Sequence, residues 1–543
     1  MSSLSTPAPA ALPAPPTSVA GTVRLLTAYL VLVTLALSPL YWASVPPLVD
    51  YPNHLARMWI LAQNGALPEL ASNYSVDWRV LPDLAMDLVV PPLTQILPLE
   101  IAGRIFIALT LLSLLAGTVV LHRTLQGRVG FWPLAALLFL YNAAVFWGFL
   151  SCLFGIGIFL LAFSGWVASR HWRSAPRIAL FGTVATALFF LHLFAFCLYG
   201  LAVGSYECGL RLAARERPLR GFLRLCATSL QFVPGLALWI ASLPKAGPRY
   251  MEYGDLGAKV YAVQAPFTFG PQAIALDKVF LIFCLGFTAT AIAARALRLA
   301  PEMRLTLSAM ILAAAAMPNW ASGSWLADIR LPVALPFVLI ASTRVEVARL
   351  RAAGWFAAVA LVLLGVRVWA ISETWRDADR LFVEFRSAAR VIAPGARLLI
   401  VDDTPRGGRP FGGVPSFIAE RWDESFPQLP ALAVIDRAAF IPYLFTGWTS
   451  VAAAPRNAGL SQTQAVPLTS EALRRSARVE PGDPAYERPD FLGERPYWGN
   501  WPQHFDFVLW IGFGSIKAPD SVALQPLAEG SYFRIYRVAP PPS

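Results

Sequence analysis

The chain has 543 residues, 56% of them hydrophobic and only 14% charged. A soluble globular chain carries about a quarter charged residues, so the composition excludes an ordinary soluble protein and points to a polytopic membrane protein. The formal charge of +11 does not indicate a nucleic-acid partner, because the basic residues stand in short clusters between apolar segments and read as determinants of membrane topology.

Residues 1–22 are dominated by Ala, Pro, Ser and Thr, which predicts a disordered cytoplasmic tail. A transmembrane domain over 23–372 follows. Its apolar segments predict α-helical spans at 23–44, 98–121, 129–146, 150–169, 176–190, 192–210, 222–243, 276–297, 304–318, 328–343 and 353–371, about 11 helices. If the chain starts inside, the clusters around Arg123, Arg173, Arg215, Arg298 and Arg349 all fall on the cytoplasmic side, as the positive-inside rule demands. The same rule splits 176–210 into a hairpin turning near His192. The opposite face receives a long first loop, 45–97, with Asp50, Glu69, Asp77, Asp83 and Asp87, and also the C-terminal region. The five cysteines lie in or beside spans and offer neither a disulfide framework nor metal-type spacing.

Beyond about Trp375 charges become frequent and apolar runs shorten to strand length. Helix is expected over 377–392, ended by Gly395, and strands over 396–401, 431–435, 505–511 and 532–538. This predicts an extracytoplasmic α/β domain over 373–543, with loops at 404–430 and 452–500.

The first loop opens with Pro46-Pro47-Leu48-Val49-Asp50-Tyr51-Pro52-Asn53-His54-Leu55-Ala56-Arg57. A carboxylate, an imidazole and a guanidinium packed together at a membrane surface are costly unless they have work to do. Asp50 has the position of a general base for an acceptor hydroxyl or amine, or of an N-cap for the following amphipathic segment, His54 to Leu67, which reads as a helix on the outer membrane surface. His54 and Arg57 follow at helical spacing and share a face with Asp50 if the helix begins by Tyr51. Arg57 suits a lipid phosphate, or simple snorkelling. His192 interrupts an apolar stretch, as a cavity residue or a satisfied structural histidine. Asp328 and Arg330 follow a Trp-rich loop suited to a sugar ring, or form a local ion pair. Gly148, Gly155 and Gly157, near Asn142, Trp147 and Ser151, read as a helix-packing series. Asp402-Asp403 reads as a solvated turn. Walker, dinucleotide, zinc-protease and nucleophile-elbow motifs are all missing from the sequence.

This layout resembles the GT-C class of integral-membrane glycosyltransferases: a long first extracytoplasmic loop with an acidic residue just after the first span, amphipathic helices in that loop, and a C-terminal extracytoplasmic domain. The resemblance implies a multi-pass protein of the bacterial inner membrane that moves a sugar from a polyprenyl-phosphate donor to an envelope glycan, lipid or protein acceptor. It places Asp50 in the catalytic position of an inverting transfer, with Arg57 or another basic group at the departing phosphate. His54, His192, Asp328 and Arg330 become sugar or phosphate contacts. Relatives often carry adjacent acids in the loop, whereas Asp50 is followed by Tyr51, so a divalent cation is the one cofactor left open. Two other classes fit the composition: a transporter of polyprenyl-linked glycans or small solutes, and a non-catalytic envelope scaffold. The first would favour internal repeats, which the sequence lacks, and the second a dispensable Asp50.

Overall fold

The computed structural model describes residues 19–63, 65–243, 251–269, 274–321, 324–403, 428–446, 449–462, 467–475, 497–512 and 524–539. The chain is a helical polytopic membrane protein. Among the described residues eight helices are long and apolar enough to cross a membrane: Val19–Tyr41, Leu99–Gln126, Leu150–Ala168, Ser174–Leu191, Leu193–Ala213, Pro218–Ser242, Ala275–Ala293 and Ala353–Val391. Their outward faces carry large exposed apolar side chains such as Leu30, Ile282 and Val362, a surface that lipid rather than water would cover. Among the described residues the first helix reaches back to Val19, inside the expected tail. Most of that tail lies outside the described residues.

The helices in chain order are α1 (Val19–Leu37), α2 (Tyr51–Gln63), α3 (Pro68–Asn73), α4 (Ala85–Leu93), α5 (Leu99–Gln126), α6 (Ala143–Phe146), α7 (Leu150–Ala168), α8 (Ser174–Leu191) and α9 (Leu193–Ala213). They continue with α10 (Pro218–Ser229), α11 (Val233–Ser242), α12 (Leu256–Gln264), α13 (Ile274–Ala293), α14 (Arg304–Ala316), α15 (Arg330–Ser342) and α16 (Ala353–Ala388). The centre of the bundle is the α5–α7 pair. A Cβ added at Gly117 would lie 2.6 Å from Leu160 Cβ, and one at Gly157 would lie 2.6 Å from the Ser113 backbone, so small residues set this close approach. Gly127, at φ 75°, ends α5 in the left-handed conformation that glycine adopts without strain.

One expected span takes another form. Residues 129–146 become a 3₁₀ segment, Trp132–Phe139, and the short α6. Pro133 starts the first piece, and the buried Asn142 starts the second by accepting the N–H groups of Ala144 and Val145. Irregular backbone at this depth is tolerated because protein, not lipid, surrounds it. The helices expected over 304–318 and 328–343 are present as α14 and α15, with 13 residues each, so each extends about 20 Å. Strand pairing of Leu297–Leu299 with Thr343–Val345 joins the start of α14 to the end of α15.

The ends of α1 and α16 meet: Ser44 donates its N–H (2.7 Å) and hydroxyl (2.6 Å) to Asp379 Oδ1. Both helices therefore emerge at one end of the bundle, where the first loop and the C-terminal region also sit. The expected boundary at 372/373 falls inside α16, which merges the last span with the helix expected over 377–392.

In the C-terminal region four strands form one sheet in the order Leu398–Asp402, Phe507–Ile511, Phe533–Val538, Leu524–Glu529. The first pairing is parallel and the others antiparallel. Three of the four strands were expected; Leu524–Glu529 is polar and carries no apolar alternation. Residues 431–435, expected as a strand, form a helix over Leu432–Arg437. A short run that is apolar throughout has no period to separate the two states, and Ala and Leu favour helix. Arg386 bridges Glu100 (2.9 Å) and Asp436 (2.5 Å), tying α16 to the start of α5 and to this helix. Tyr74–Val76 of the first loop pairs with Val451–Ala453. Most of the loops expected over 404–430 and 452–500 lies outside the described residues.

Candidate functional site

Asp50 sits where two stretches of irregular chain clasp each other. Val49 N–H donates to Phe146 O (2.9 Å) and Asp50 N–H to Trp147 O (3.2 Å), while Asp50 O accepts from His54 N–H (3.0 Å) to start α2. Gly148 makes this contact possible. It has φ 84°, and a Cβ there would lie 3.1 Å from Asp50 N and 3.2 Å from Asp50 Cβ.

Among the described residues the Asp50 carboxylate makes no hydrogen bond or ion pair, so it does not cap α2 with its side chain. Burial pushes its pKa up to about 7, and the nearby Arg330 guanidinium opposes part of that rise. Arg330 lies over the Phe149 ring, 5.2 Å from its centroid, and donates to Ser324 Oγ. Its Nε is buried without a partner among the described residues. Arg330 also acts electrostatically on His192, which ends α8 and starts α9.

His192 Nδ1 accepts from Phe194 N–H (3.0 Å) and lies 3.4 Å from Asp83 Oδ1. Asp83 Oδ1 in turn accepts Leu193 N–H (2.9 Å). The bond from Phe194 requires an unprotonated Nδ1, so the neutral ring carries its proton on Nε2. Burial holds it in that form, with a pKa pushed down to about 4. Beside Asp50 the side chains are aromatic: Trp147, whose carbonyl accepts the Asp50 N–H, meets Trp325 edge-on at 5.0 Å and donates to the Tyr261 hydroxyl (2.7 Å).

The other expected site residues lie elsewhere or are already engaged. Arg57 is 5% exposed and Asp87 2%, and one guanidinium nitrogen reaches both Asp87 oxygens at 2.7 and 3.0 Å. His54 lies beside it, Nδ1 to Nη1 3.3 Å, with its ring edge on Phe445. The face expected to unite Asp50, His54 and Arg57 therefore splits, with Asp50 toward Arg330 and the other two toward Asp87 and the C-terminal region. Nor does α2 lie on a membrane surface. It is buried almost all round, and Asn53 binds Gln428, Tyr443 O and Phe445 N–H. Asp328 is fully buried and engaged by Lys259 (3.2 Å) and Asn319 (3.1 Å), not by Arg330.

Sequence reading missed Asp83, Lys259 and the role of Gly148. The two charged partners come from distant segments, Asp83 from the first loop and Lys259 from α12, and leave no local signal. Gly148 stood in a series of which Gly155 and Gly157 do pack helices, and only its backbone conformation sets it apart. A divalent cation finds no donor set: the charged neighbour of Asp50 is a guanidinium, and no group of three His, Cys, Asp or Glu comes together among the described residues. Asp403, expected in a solvated turn, accepts the N–H of Ser470 (2.8 Å).

No protein-family model matches the chain, and no curated protein matches it.

Proposed function

We propose that this chain is a membrane glycosyltransferase that moves a sugar from a polyprenyl-phosphate donor to an envelope acceptor, with inversion and with Asp50 as general base. The observation that carries the reading is the Asp50 carboxylate, half-buried, without a hydrogen-bond partner among the described residues, and facing the field of Arg330. A base with a pKa near 7 is matched to removing a proton from a hydroxyl or amine at neutral pH.

In the step, the acceptor oxygen or nitrogen loses its proton to Asp50 and bonds to the anomeric carbon. The bond from that carbon to the donor phosphate oxygen breaks on the opposite face and leaves its electron pair on the phosphate. Arg330, with an unused buried Nε, suits that developing charge. It takes the role expected for Arg57, whose charge Asp87 already neutralises. His192 offers an Nε2–H donor for a sugar hydroxyl, and the Trp147–Trp325 wall offers apolar surface for a sugar ring or isoprenoid.

The reading places the site on the extracytoplasmic side of a bacterial inner membrane. Supporting this, Arg123 and Arg128 stand at the far end of α5 from the site, and that end would be cytoplasmic by the positive-inside rule. The test is lipid and glycan mass spectrometry on cells with wild type, Asp50→Asn, or no copy of the gene. Accumulation of one polyprenyl-linked sugar, with loss of the same sugar mass from an envelope glycan in both altered strains, supports transfer. Normal glycans with Asp50→Asn, altered only in the deletion strain, would sink catalysis at Asp50 and favour a carrier.

A further inference from the structure

We propose that the C-terminal region holds a second binding site, in which Arg397 and Arg456 grip the oxyanion of a small carboxylate- or phosphate-bearing ligand. The two residues line one cavity of about 280 Å³ together with Leu460, Gly459 and His504. That volume lies just below the roughly 300–1,000 Å³ of drug-sized ligand pockets, which suits a single small unit such as one acidic sugar.

The guanidiniums are held by a buried amide network. Asn73 and Asn457 are both fully buried, and Asn457 Nδ2 donates to Asn73 Oδ1 (2.8 Å). Asn73 Nδ2 donates to the carbonyls of Gly395 (3.0 Å) and Ala438 (2.8 Å). On this frame Arg397 donates from Nε to Asn457 Oδ1 (2.8 Å) and from Nη2 to Arg456 O (3.1 Å). Arg456 donates from Nη2 to Asn73 Oδ1 (2.7 Å) and Gly395 O (3.2 Å).

Every acceptor in this set is neutral. Asp506 takes the backbone N–H of Arg397 (2.8 Å), not its guanidinium, and among the described residues no carboxylate pairs with either arginine. Two like charges thus stand together and oriented, and among the described residues they have no counterion and Nη1 of each is left to donate. Arg386, by contrast, is neutralised by Glu100 and Asp436. A planar guanidinium matches carboxylate and phosphate oxygens, so an oxyanion supplies both the missing charge and the missing acceptors. His504 adds a ring donor at the rim. A Cβ at Gly459 would meet nothing within 4 Å, so the mouth is open.

The test is isothermal titration of the full-length chain in detergent with glucuronate, glucose 6-phosphate and neutral glucose. Saturable, salt-sensitive binding of at least one anion, with none of glucose, is expected, and the tighter anion identifies the oxyanion preferred. Arg456→Gln, exposed enough to leave the fold intact, should weaken binding about tenfold or more, as loss of charge-assisted hydrogen bonds does. Asp50→Asn should bind as wild type, which separates this site from the proposed transfer. Glucose binding as well as the anions, no saturation by either anion up to tens of millimolar, or unchanged affinity in Arg456→Gln with an unchanged melting curve would each overturn the proposal.

Discussion

Asp50 and Arg57 lie seven residues apart, yet their charges meet opposite fates. Arg57 is sealed against Asp87 between α2 and α4, and nothing of its charge is left for a ligand. Among the described residues Asp50 is fixed only through its backbone, and its carboxylate is left to the field of Arg330. Charge that is neutralised in place holds a structure together, whereas charge that is oriented but unpaired is available for chemistry. The sequence motif contains both kinds, and only their partners tell them apart.

The largest effect expected from breaking this contrast is on Asp50. Asp50→Asn should lower transfer by about 10³-fold, the scale of a lost general base, in an assay with purified protein and extracted lipid donor. Arg57→Ala should instead destabilise by about 3–5 kcal/mol, since it strands a buried carboxylate, and detergent melting curves would register it. A double change, Arg57→Met with Asp87→Leu, should recover most of that loss and retain activity. If Arg57→Met with Asp87→Leu melts like wild type but fails to transfer, Arg57 has a chemical role after all.

Next in size is Arg330→Gln, expected to cost about 10²-fold in rate with little change in melting temperature. A smaller, graded effect is expected from pH. A base must be unprotonated, so the rate should rise about tenfold per pH unit up to a pKa near 7 and then level off. Arg330→Gln removes the charge that holds that pKa down, so the inflection should move upward.

The smallest effect is on stability. The folded pKa of Asp50 lies above the ordinary value of 3.8, so the native state binds the extra proton between about pH 4 and pH 7. Stability is therefore lost as pH rises through that window. Asp50→Asn removes the penalty and should melt about 1–3 °C higher than wild type at pH 8, with the gap closing toward pH 4.

The membrane character and the general position of Asp50 were legible in the sequence because both rest on local patterns, apolar length and a polar cluster after a span. The hairpin at His192 was legible for the same reason, since Arg177 and the Arg211 cluster bracket it. Segment 129–146 was misjudged in form because hydropathy does not distinguish a side chain facing lipid from one facing other helices, whereas 304–318 and 328–343 are helical as expected and only shorter. Arg57 was misassigned because its partner, Asp87, lies thirty residues on, and long-range pairing leaves no periodic trace. The α2 helix could have been read as internal: its non-apolar side offers Asn53 rather than a stripe of charges, and an interfacial helix needs the latter.

The unbroken α16 has a mechanical consequence. Its 36 residues extend about 54 Å, from the bundle to the edge of the sheet, without proline or other break. It acts as a rigid strut, and the Arg386 bridge and the Ser44–Asp379 contact stop it from turning about its own axis. The sheet therefore does not swivel on a flexible tether to fetch its ligand. Any ligand the sheet takes would meet it at an orientation fixed to the helix bundle.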